Sequence, residues 1–254
     1  MHPVLFSFGG FTVYTYGFFA AAGFFAAVLY ISKNIRSGII SQDDLYSLFL
    51  HMIIAAVLGA RALYVLTNPE DFLKAPQDIF KIWRGGLVYY GGFITAVSYA
   101  FYYAGKKKIS LALLSDFAAP ALGLGHFFGR IGCFFAGCCY GKACSLPWAV
   151  TFSNKDTMAL GDTALHPTQL YEAFGNLAVF VFLHFYNKKQ HPAGKTFALY
   201  LITYSVLRFV IEFFRGDYRG GEFLGLSIAQ NVSVILFITG LFIIYKADKR
   251  WKKK

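Results

Sequence analysis

The sequence predicts an all-α integral membrane protein with seven transmembrane helices, on three observations. The chain is 57% apolar and only 15% charged, and its mean hydropathy is +0.50. Globular domains are about 45–50% apolar and about 25% charged. The apolar residues fall in runs close to the length of about 20 residues that crosses a bilayer as a helix. Basic residues cluster in the short loops between these runs.

Seven apolar runs define the predicted helices, in chain order. The segment before the first run lacks the basic stretch and the cleavage site of a signal peptide, so we expect the first helix to remain in the mature protein. No linker composition divides the chain, and a single domain spanning residues 1–254 is expected. The predicted spans are residues 11–32, 44–66, 86–104, 110–134, 167–186, 195–214 and 225–245.

The distribution of basic residues predicts the orientation, because short cytoplasmic loops are enriched in Lys and Arg. Lys33 and Arg36 follow the first helix, residues 106–108 follow the third, and the tail from Lys246 onward holds the largest cluster. The N-terminus is therefore expected outside and the C-terminus in the cytoplasm. The loop at residues 135–166, between helices 4 and 5, becomes a small extracytoplasmic head. The net charge of +11 then reflects topology, and no nucleic-acid partner is expected.

Three arginines, Arg61, Arg130 and Arg208, lie within or at the end of apolar runs. A charge at a helix centre costs about 2.5–3.5 kcal/mol on insertion scales, so such residues need a partner or a ligand. One interpretation is structural: the arginines reach the headgroups or pair with acidic residues, for which Asp116, Glu172 and Glu212 are available. The other is an anion pocket, since a guanidinium binds phosphate through a bidentate fork.

The cysteines form one cluster with the spacing C-x4-C-C-x4-C, made of Cys133, Cys138, Cys139 and Cys144. Outside the cell, an even number of cysteines in a loop predicts one or two disulfides. A tetrahedral zinc site is the alternative. The adjacent pair Cys138 and Cys139 fits the usual zinc-ligand spacing poorly.

Several motifs give the chain a resemblance to a known family. The stretch "GRIGCFFAGCCYG" at residues 129–141 has the frame of the signature G-R-x-G-N-F-x-N-x-E-x-x-G. Its asparagines and glutamate are replaced by Cys133, Ala136 and Cys138. Further matches are "YTYG" (14–17), "GARALYV" (59–65), "GGLVYYGG" (85–92), "HPTQLYE" (166–172) and "RFVIEFFRGD" (208–217). On these residues the chain resembles the prolipoprotein diacylglyceryl transferases.

The resemblance implies a fold and an activity. The family has seven helices, an extracytoplasmic N-terminus and an extracytoplasmic head. Its members transfer the sn-1,2-diacylglyceryl group from phosphatidylglycerol to the lipobox cysteine of a prolipoprotein, forming a thioether and releasing glycerol phosphate. The implied partners are phosphatidylglycerol, the prolipoprotein signal peptide and membrane lipids. A monomer in the bacterial cytoplasmic (inner) membrane is implied, with its active site toward the outer leaflet and with no metal or other cofactor.

The resemblance also implies residue roles. Arg130 and Arg208 match the family's phosphate-binding arginines, Glu212 accompanies Arg208, and Tyr90 stands where the family often has a histidine that helps to activate the thiol. A phenol is a poor base at neutral pH. His126 and His166 are therefore alternative bases, and an acceptor thiol that ionises in a positive pocket is a further possibility. The implied substrate-contacting residues are Tyr16, Arg61, Arg130, Cys133, Cys138, Gly141, His166 and Arg208.

Other functions remain open at this point. A membrane thiol oxidoreductase would use the cysteine cluster, although the sequence has no C-x-x-C pair. A transporter or a lipid-binding protein would use the arginines without chemistry, but two related halves with broken helices are not evident. A diverged family member would act on another acceptor thiol or another phospholipid.

Overall fold

The computed structural model describes residues 1–9, 11–36, 38–82, 85–159, 161–217 and 221–252. The described chain is mostly helical. Its helices are α1 (Thr15–Asn34), α2 (Gln42–Thr67), α3 (Pro69–Lys74), α4 (Tyr89–Lys106), α5 (Leu111–Ala136), α6 (Thr168–Asn187), α7 (Lys195–Glu212) and α8 (Ile228–Trp251). The short antiparallel pairs are β1 (Val4–Phe8) with β2 (Phe11–Tyr14), β3 (Val150–Thr151) with β4 (Ala164–Leu165), and β5 (Glu222–Phe223) with β6 (Leu226–Ser227).

Each of the seven predicted spans overlaps one long helix, and among the helices of the described residues α3 and a 3-10 helix at Pro76–Phe80 lie outside the spans. Among the described residues, α1, α2, α5 and α8 are long and apolar enough to cross a membrane. The chain is therefore a multi-pass membrane protein. The predicted start of the first helix, at residue 11, is wrong. Residues 11–14 form β2, because their aromatic and β-branched side chains suit a strand and β1 supplies the hydrogen bonds.

The chain divides into two compact units, residues 35–114 and residues 1–34 with 115–254. In the first unit α2 and α4 pack at glycines. A Cβ on Gly59 would lie 2.6 Å from the carbonyl oxygen of Gly91, and a Cβ on Gly92 would lie 2.8 Å from that of Ala56. Thr95 Oγ1 donates a hydrogen bond across this contact to the carbonyl oxygen of Ala55 at 2.7 Å. Close backbone approach at small residues is typical of helix pairs in membranes.

The second unit contains the main apolar core, where α5, α6 and α7 meet. Asp116 fixes the start of α7, since its carboxylate accepts hydrogen bonds from the backbone N–H groups of Gly194 at 2.7 Å and Phe197 at 2.9 Å. Ser227 and Gln230 form a capping box at the start of α8. The core residues are Ala119, Val179, Leu183, Tyr200 and Leu201.

Candidate functional site

Glu172, near the start of α6, is the centre of a buried cluster of charges. The residue is only 2% exposed. Its Oε1 lies 3.1 Å from Nη1 of Arg208 and 3.4 Å from Nη1 of Arg215, and its Oε2 pairs with Nε of Arg130. One carboxylate thus joins arginines from the end of α5, from α7 and from the segment after α7. The prediction that Arg130 and Arg208 could pair with Glu172 is confirmed.

The arginines of this cluster differ in how many of their N–H groups have partners. Arg215 is fully engaged: Nε and Nη2 donate to Asp217 at 2.9 and 2.6 Å, and Nη1 faces Glu172. Arg130 uses only Nε, so within the described residues its two terminal nitrogens have no partner. Arg208 reaches two carboxylates through Nη1 alone, which leaves its Nε and Nη2 without a partner there. Donors for a further anion therefore remain on Arg130 and Arg208.

Glu212 is the second carboxylate that contacts Arg208. Its Oε2 lies 2.6 Å from Nη1 of Arg208, one helical turn earlier, and its Oε1 accepts a hydrogen bond from Ser227 Oγ at 2.9 Å. The two residues are four apart in α7 and therefore lie on one face of that helix. Because Ser227 caps α8, the cluster is tied to the start of that helix as well.

Gly141, the last residue of the signature, lets three chain segments approach closely. A Cβ at this position would lie 2.6 Å from the carbonyl oxygen of His166 and 2.8 Å from that of Phe214. The segments after α5, before α6 and after α7 can therefore join side by side, which brings Glu172 to its arginines. The connecting hydrogen bonds run from Gly141 N to His166 O (3.0 Å), His166 N to Lys142 O (3.0 Å), Lys142 N to Phe214 O (2.8 Å) and Gly216 N to Tyr140 O (3.1 Å).

The cysteines at the end of α5 lie close together as thiols. The sulfur atoms of Cys133, Cys138 and Cys139 are all within 4.8 Å of one another, and those of Cys138 and Cys139 are 3.6 Å apart. Cys144 does not belong to this group. No disulfide joins the four cysteines, all of which lie in the described part of the chain, so the predicted disulfide is not formed in this structure.

The loop that carries two of these thiols is held from α6. Gln169 Nε2 donates to the carbonyl oxygen of Cys138 and Thr168 Oγ1 to that of Cys139, each at 2.8 Å. Hydrogen bonding with Cys133 acts to lower the pKa of Cys138, but hydrogen bonding with Cys139 and burial outweigh it and raise that pKa to about 11. The Cys138 side chain is therefore a neutral thiol at physiological pH.

Tyr16, at the start of α1, borders the same cluster. Its phenol lies within electrostatic range of Arg130 and of the thiols of Cys133, Cys138 and Cys139. Gly132 permits this approach, because a Cβ there would lie 3.3 Å from the Tyr16 Cα. One part of the larger unit therefore contains most of the predicted site residues: Tyr16, Arg130, the thiols, Gly141, Arg208 and Glu212.

The two predicted histidine alternatives have partners of their own. Nδ1 of His166 lies 3.2 Å from the Tyr171 hydroxyl, and Nδ1 of His126 lies 3.2 Å from the Tyr200 hydroxyl. His166 also contributes its backbone to the junction at Gly141. Each histidine is thus held by a phenol.

Arg61 and Tyr90 belong to the smaller unit. Arg61 is buried between the rings of Tyr64 and Phe72, 5.5 and 5.2 Å from their centres. Its guanidinium donates to the backbone carbonyls of Asp78, Ile79 (2.8 Å), Gly85 (2.8 Å) and Gly86 (3.1 Å). Arg61 thereby fixes the loop before α4. Tyr90 is 69% exposed in the first turn of α4.

Sequence reasoning did not assign functional roles to Glu172, Arg215 and Asp217. From the sequence alone, Glu172 is a candidate structural partner for the buried arginines and no more. A signal was available, since Glu172 closes the motif "HPTQLYE" and Arg215 and Asp217 close "RFVIEFFRGD". Their convergence depends on the junction at Gly141, which links residues far apart in the chain.

Comparison with known proteins gives a consistent result over nearly the whole chain. Residues 3–246 match the family model for prolipoprotein diacylglyceryl transferase. A phosphatidylglycerol–prolipoprotein diacylglyceryl transferase of Clostridium tetani is 36% identical over 96% of this chain and 96% of its own length. Relatives with that function in their names from Clostridium perfringens (33% identical) and Geobacter sulfurreducens (32%) each align over 98% of this chain and 96% of their own lengths. The chain belongs to the prolipoprotein diacylglyceryl transferase family.

Proposed function

We propose that this protein transfers the diacylglyceryl group of phosphatidylglycerol to the lipobox cysteine of prolipoproteins. The names of its relatives supply the two substrates. The observation that carries the proposal is the set of partly engaged arginines: Arg130 and Arg208 share Glu172 and still have N–H groups without partners among the described residues. Such groups bind a phosphate in bidentate fashion.

The reaction requires little covalent chemistry from the protein. The acceptor sulfur attacks the glyceryl carbon that carries the phosphate, a C–S bond forms, and the C–O bond breaks with its electron pair moving to the phosphate oxygen. The products are the thioether and glycerol phosphate, which takes up the proton released by the thiol. Arg130 and Arg208 stabilise the charge that develops on the leaving phosphate, an effect that is strong in a site shielded from water.

The carboxylates position these arginines. Glu172 holds Arg130 through Nε and Arg208 through Nη1, and Glu212 contacts the same Nη1 of Arg208. Arg215 pairs with Asp217 and contributes a fixed positive charge. We assign Tyr16, Cys133, Cys138, Gly141 and His166 to the walls of this substrate site. On the resemblance, Arg61 is assigned a substrate-contacting role, and Tyr90 the role of orienting the acceptor by hydrogen bonding.

The topology that accompanies this function has seven transmembrane helices, α1, α2, α4, α5, α6, α7 and α8. The N-terminus is outside, the C-terminus is cytoplasmic, and the segment between α5 and α6 forms the extracytoplasmic head. The enzyme acts as a monomer in the bacterial inner membrane, with its site toward the outer leaflet. The basic residues near the end of α8 support the cytoplasmic assignment.

The experiment compares the wild type with Arg130→Lys and Arg208→Lys in proteoliposomes that contain phosphatidylglycerol and a lipobox peptide. Lysine keeps the charge but loses the fork, so we expect kcat to fall about 100- to 1000-fold, as for removal of an oxyanion donor. Arg250→Lys, at an exposed position near the end of α8, is the matched control and keeps full activity. Wild-type turnover by both folded variants would contradict the assigned role of the arginines.

A further inference from the structure

Three thiols at the end of α5 are arranged as a set of metal ligands. Cys133 is buried on the last turn of the helix, and Cys138 and Cys139 are half-buried on the loop that follows. All three sulfurs lie within 4.8 Å of one another, and two of them are 3.6 Å apart. Thr168 and Gln169 fix the backbone of this loop through hydrogen bonds to its carbonyl groups.

The distances fit a shared metal ion better than a disulfide. Zinc–sulfur bonds of about 2.3 Å in a tetrahedron place the sulfurs about 3.8 Å apart, close to the separation of Cys138 and Cys139. A disulfide needs about 2.05 Å and joins only two sulfurs. Cys139 also has a positive φ of 65°, a conformation that is unfavourable for a residue with a Cβ. With this backbone conformation the sulfur atoms of the adjacent residues Cys138 and Cys139 lie 3.6 Å apart.

We propose that Cys133, Cys138 and Cys139 bind one Zn²⁺ as thiolates and that its fourth position takes the acceptor cysteine of the lipobox. This inference rests on the proposed transferase function for its chemistry, and it departs from the expectation that no metal is needed. Three protein ligands with one open position are typical of catalytic zinc. Three thiolates and Zn²⁺ carry one net negative charge, and Arg130 lies within electrostatic range of Cys133 and Cys139.

A zinc ion would deprotonate the acceptor thiol, a step for which the surrounding described residues supply no evident base. An ordinary cysteine thiol has a pKa near 8.5 and is mostly protonated at neutral pH. The arginines of the cluster cannot accept its proton. Glu172 and Glu212 are already engaged in ion pairs with these arginines. A thiol that coordinates a metal is deprotonated outright.

The lipobox thiol binds Zn²⁺ through sulfur and gives up its proton, which ends on the phosphate oxygen of the leaving glycerol phosphate. The bound thiolate supplies the electron pair for the new C–S bond to the glyceryl carbon. The thioether that results is a weaker zinc ligand than the thiolate, so the product leaves and the fourth position opens again.

The test measures metal binding separately from activity. The full chain in detergent is loaded with Zn²⁺, freed of excess metal and analysed for zinc by mass spectrometry, beside Cys133→Ser, Cys138→Ser and Cys139→Ser. We expect about one zinc per chain in the wild type and loss of zinc from each variant, because two thiolates and a hydroxyl make a weaker site. Cys144→Ser is the matched control and keeps its zinc, since that sulfur lies outside the group. Thermal unfolding shows whether each variant is folded.

Cobalt substitution in the unmutated protein provides a second readout that does not depend on variants. Co²⁺ in place of zinc gives a sulfur-to-cobalt charge-transfer band. Its absorbance should rise by about one third when a lipobox peptide is added, because four thiolates replace three. The same peptide with Ser in place of Cys should leave the band unchanged.

The outcomes separate this inference from the proposed function. An active wild type that binds no zinc and gives no thiolate band with cobalt would overturn the zinc site and leave the transferase function intact. Binding of copper but not zinc would also overturn it. If the protein binds zinc but the sulfur-to-cobalt charge-transfer band does not change when the Cys peptide is added, the metal does not bind the acceptor cysteine. Zinc binding and a response to the peptide, in a protein that transfers nothing, would support the metal site and contradict the proposed function.

Discussion

Removal of the negative charge of Glu172 should perturb the buried cluster of charges most strongly. Its carboxylate contacts Arg130, Arg208 and Arg215, and the formal charges of these arginines and of Glu172, Glu212 and Asp217 sum to zero. Glu172→Gln removes one negative charge, keeps the shape of the side chain and leaves one buried positive charge without compensation.

The expected magnitude follows from burial. The side chain of Glu172 is 3% exposed, and those of Arg208 and Arg215 are 9% and 3% exposed. Removal of one member of a buried ion pair destabilises a protein by about 3–5 kcal/mol. For a chain of this size each kcal/mol lowers Tm by about 2–4 °C, so we expect Glu172→Gln to lower Tm by about 6–20 °C.

The assay is thermal unfolding in detergent, with and without added lipid. Glu222→Gln, at an exposed position of β5, is the matched control and should change Tm by no more than about 2 °C. Anionic phosphatidylglycerol should restore more stability to Glu172→Gln than to the wild type, because its phosphate replaces the missing charge. A zwitterionic lipid should restore less. An unchanged Tm, or equal restoration by both lipids, would refute this reasoning about the cluster.

Three further predictions concern Gly141, Arg61 and Cys138. Gly141→Ala should destabilise the protein by about 1–3 kcal/mol, because the new Cβ meets backbone atoms of His166, whereas Gly129→Ala, with open space around it, should be tolerated in the same Tm measurement. Arg61→Lys should lower Tm and speed tryptic cleavage after Lys81, since one ammonium group cannot satisfy the carbonyls that Arg61 binds on both sides of that residue; wild-type cleavage would contradict this. In metal-free protein Cys138 should react with iodoacetamide at pH 7 about 300-fold more slowly than a peptide cysteine, because its pKa of about 11 leaves little thiolate, and the rate should rise as the pH approaches 11. Fast labelling at pH 7, followed by mass spectrometry of the modified residue, would contradict the raised pKa.

Local pattern predicted most of the fold. Helix positions follow from apolar run length, and the pairing of Arg208 with Glu212 follows from their spacing of four residues. The start of α1 was missed because a short apolar run does not distinguish a helix from a strand, and the partner strand β1 decided the outcome. The sequence pattern of one segment does not reveal which other segment will pair with it.

The site was predicted less completely for the same physical reason. Arg130 and Arg208 were identified because charges in apolar runs are unusual. The central role of Glu172 was not, since it depends on the junction that Gly141 makes with the segments around His166 and Phe214. Cysteine spacing alone favoured a disulfide, whereas the turn at Cys139 brings three sulfurs together.

The central claim is tested most directly by the products of the purified wild type. The protein is reconstituted with phosphatidylglycerol labelled in its acyl chains and given a lipobox peptide, and both products are quantified by mass spectrometry. We predict a peptide heavier by one diacylglyceryl group, joined through sulfur, together with an equal amount of glycerol phosphate. The peptide with Ser in place of Cys should gain nothing. If the folded wild type leaves the Cys peptide unmodified, or modifies it without releasing glycerol phosphate, the proposed transfer reaction is contradicted.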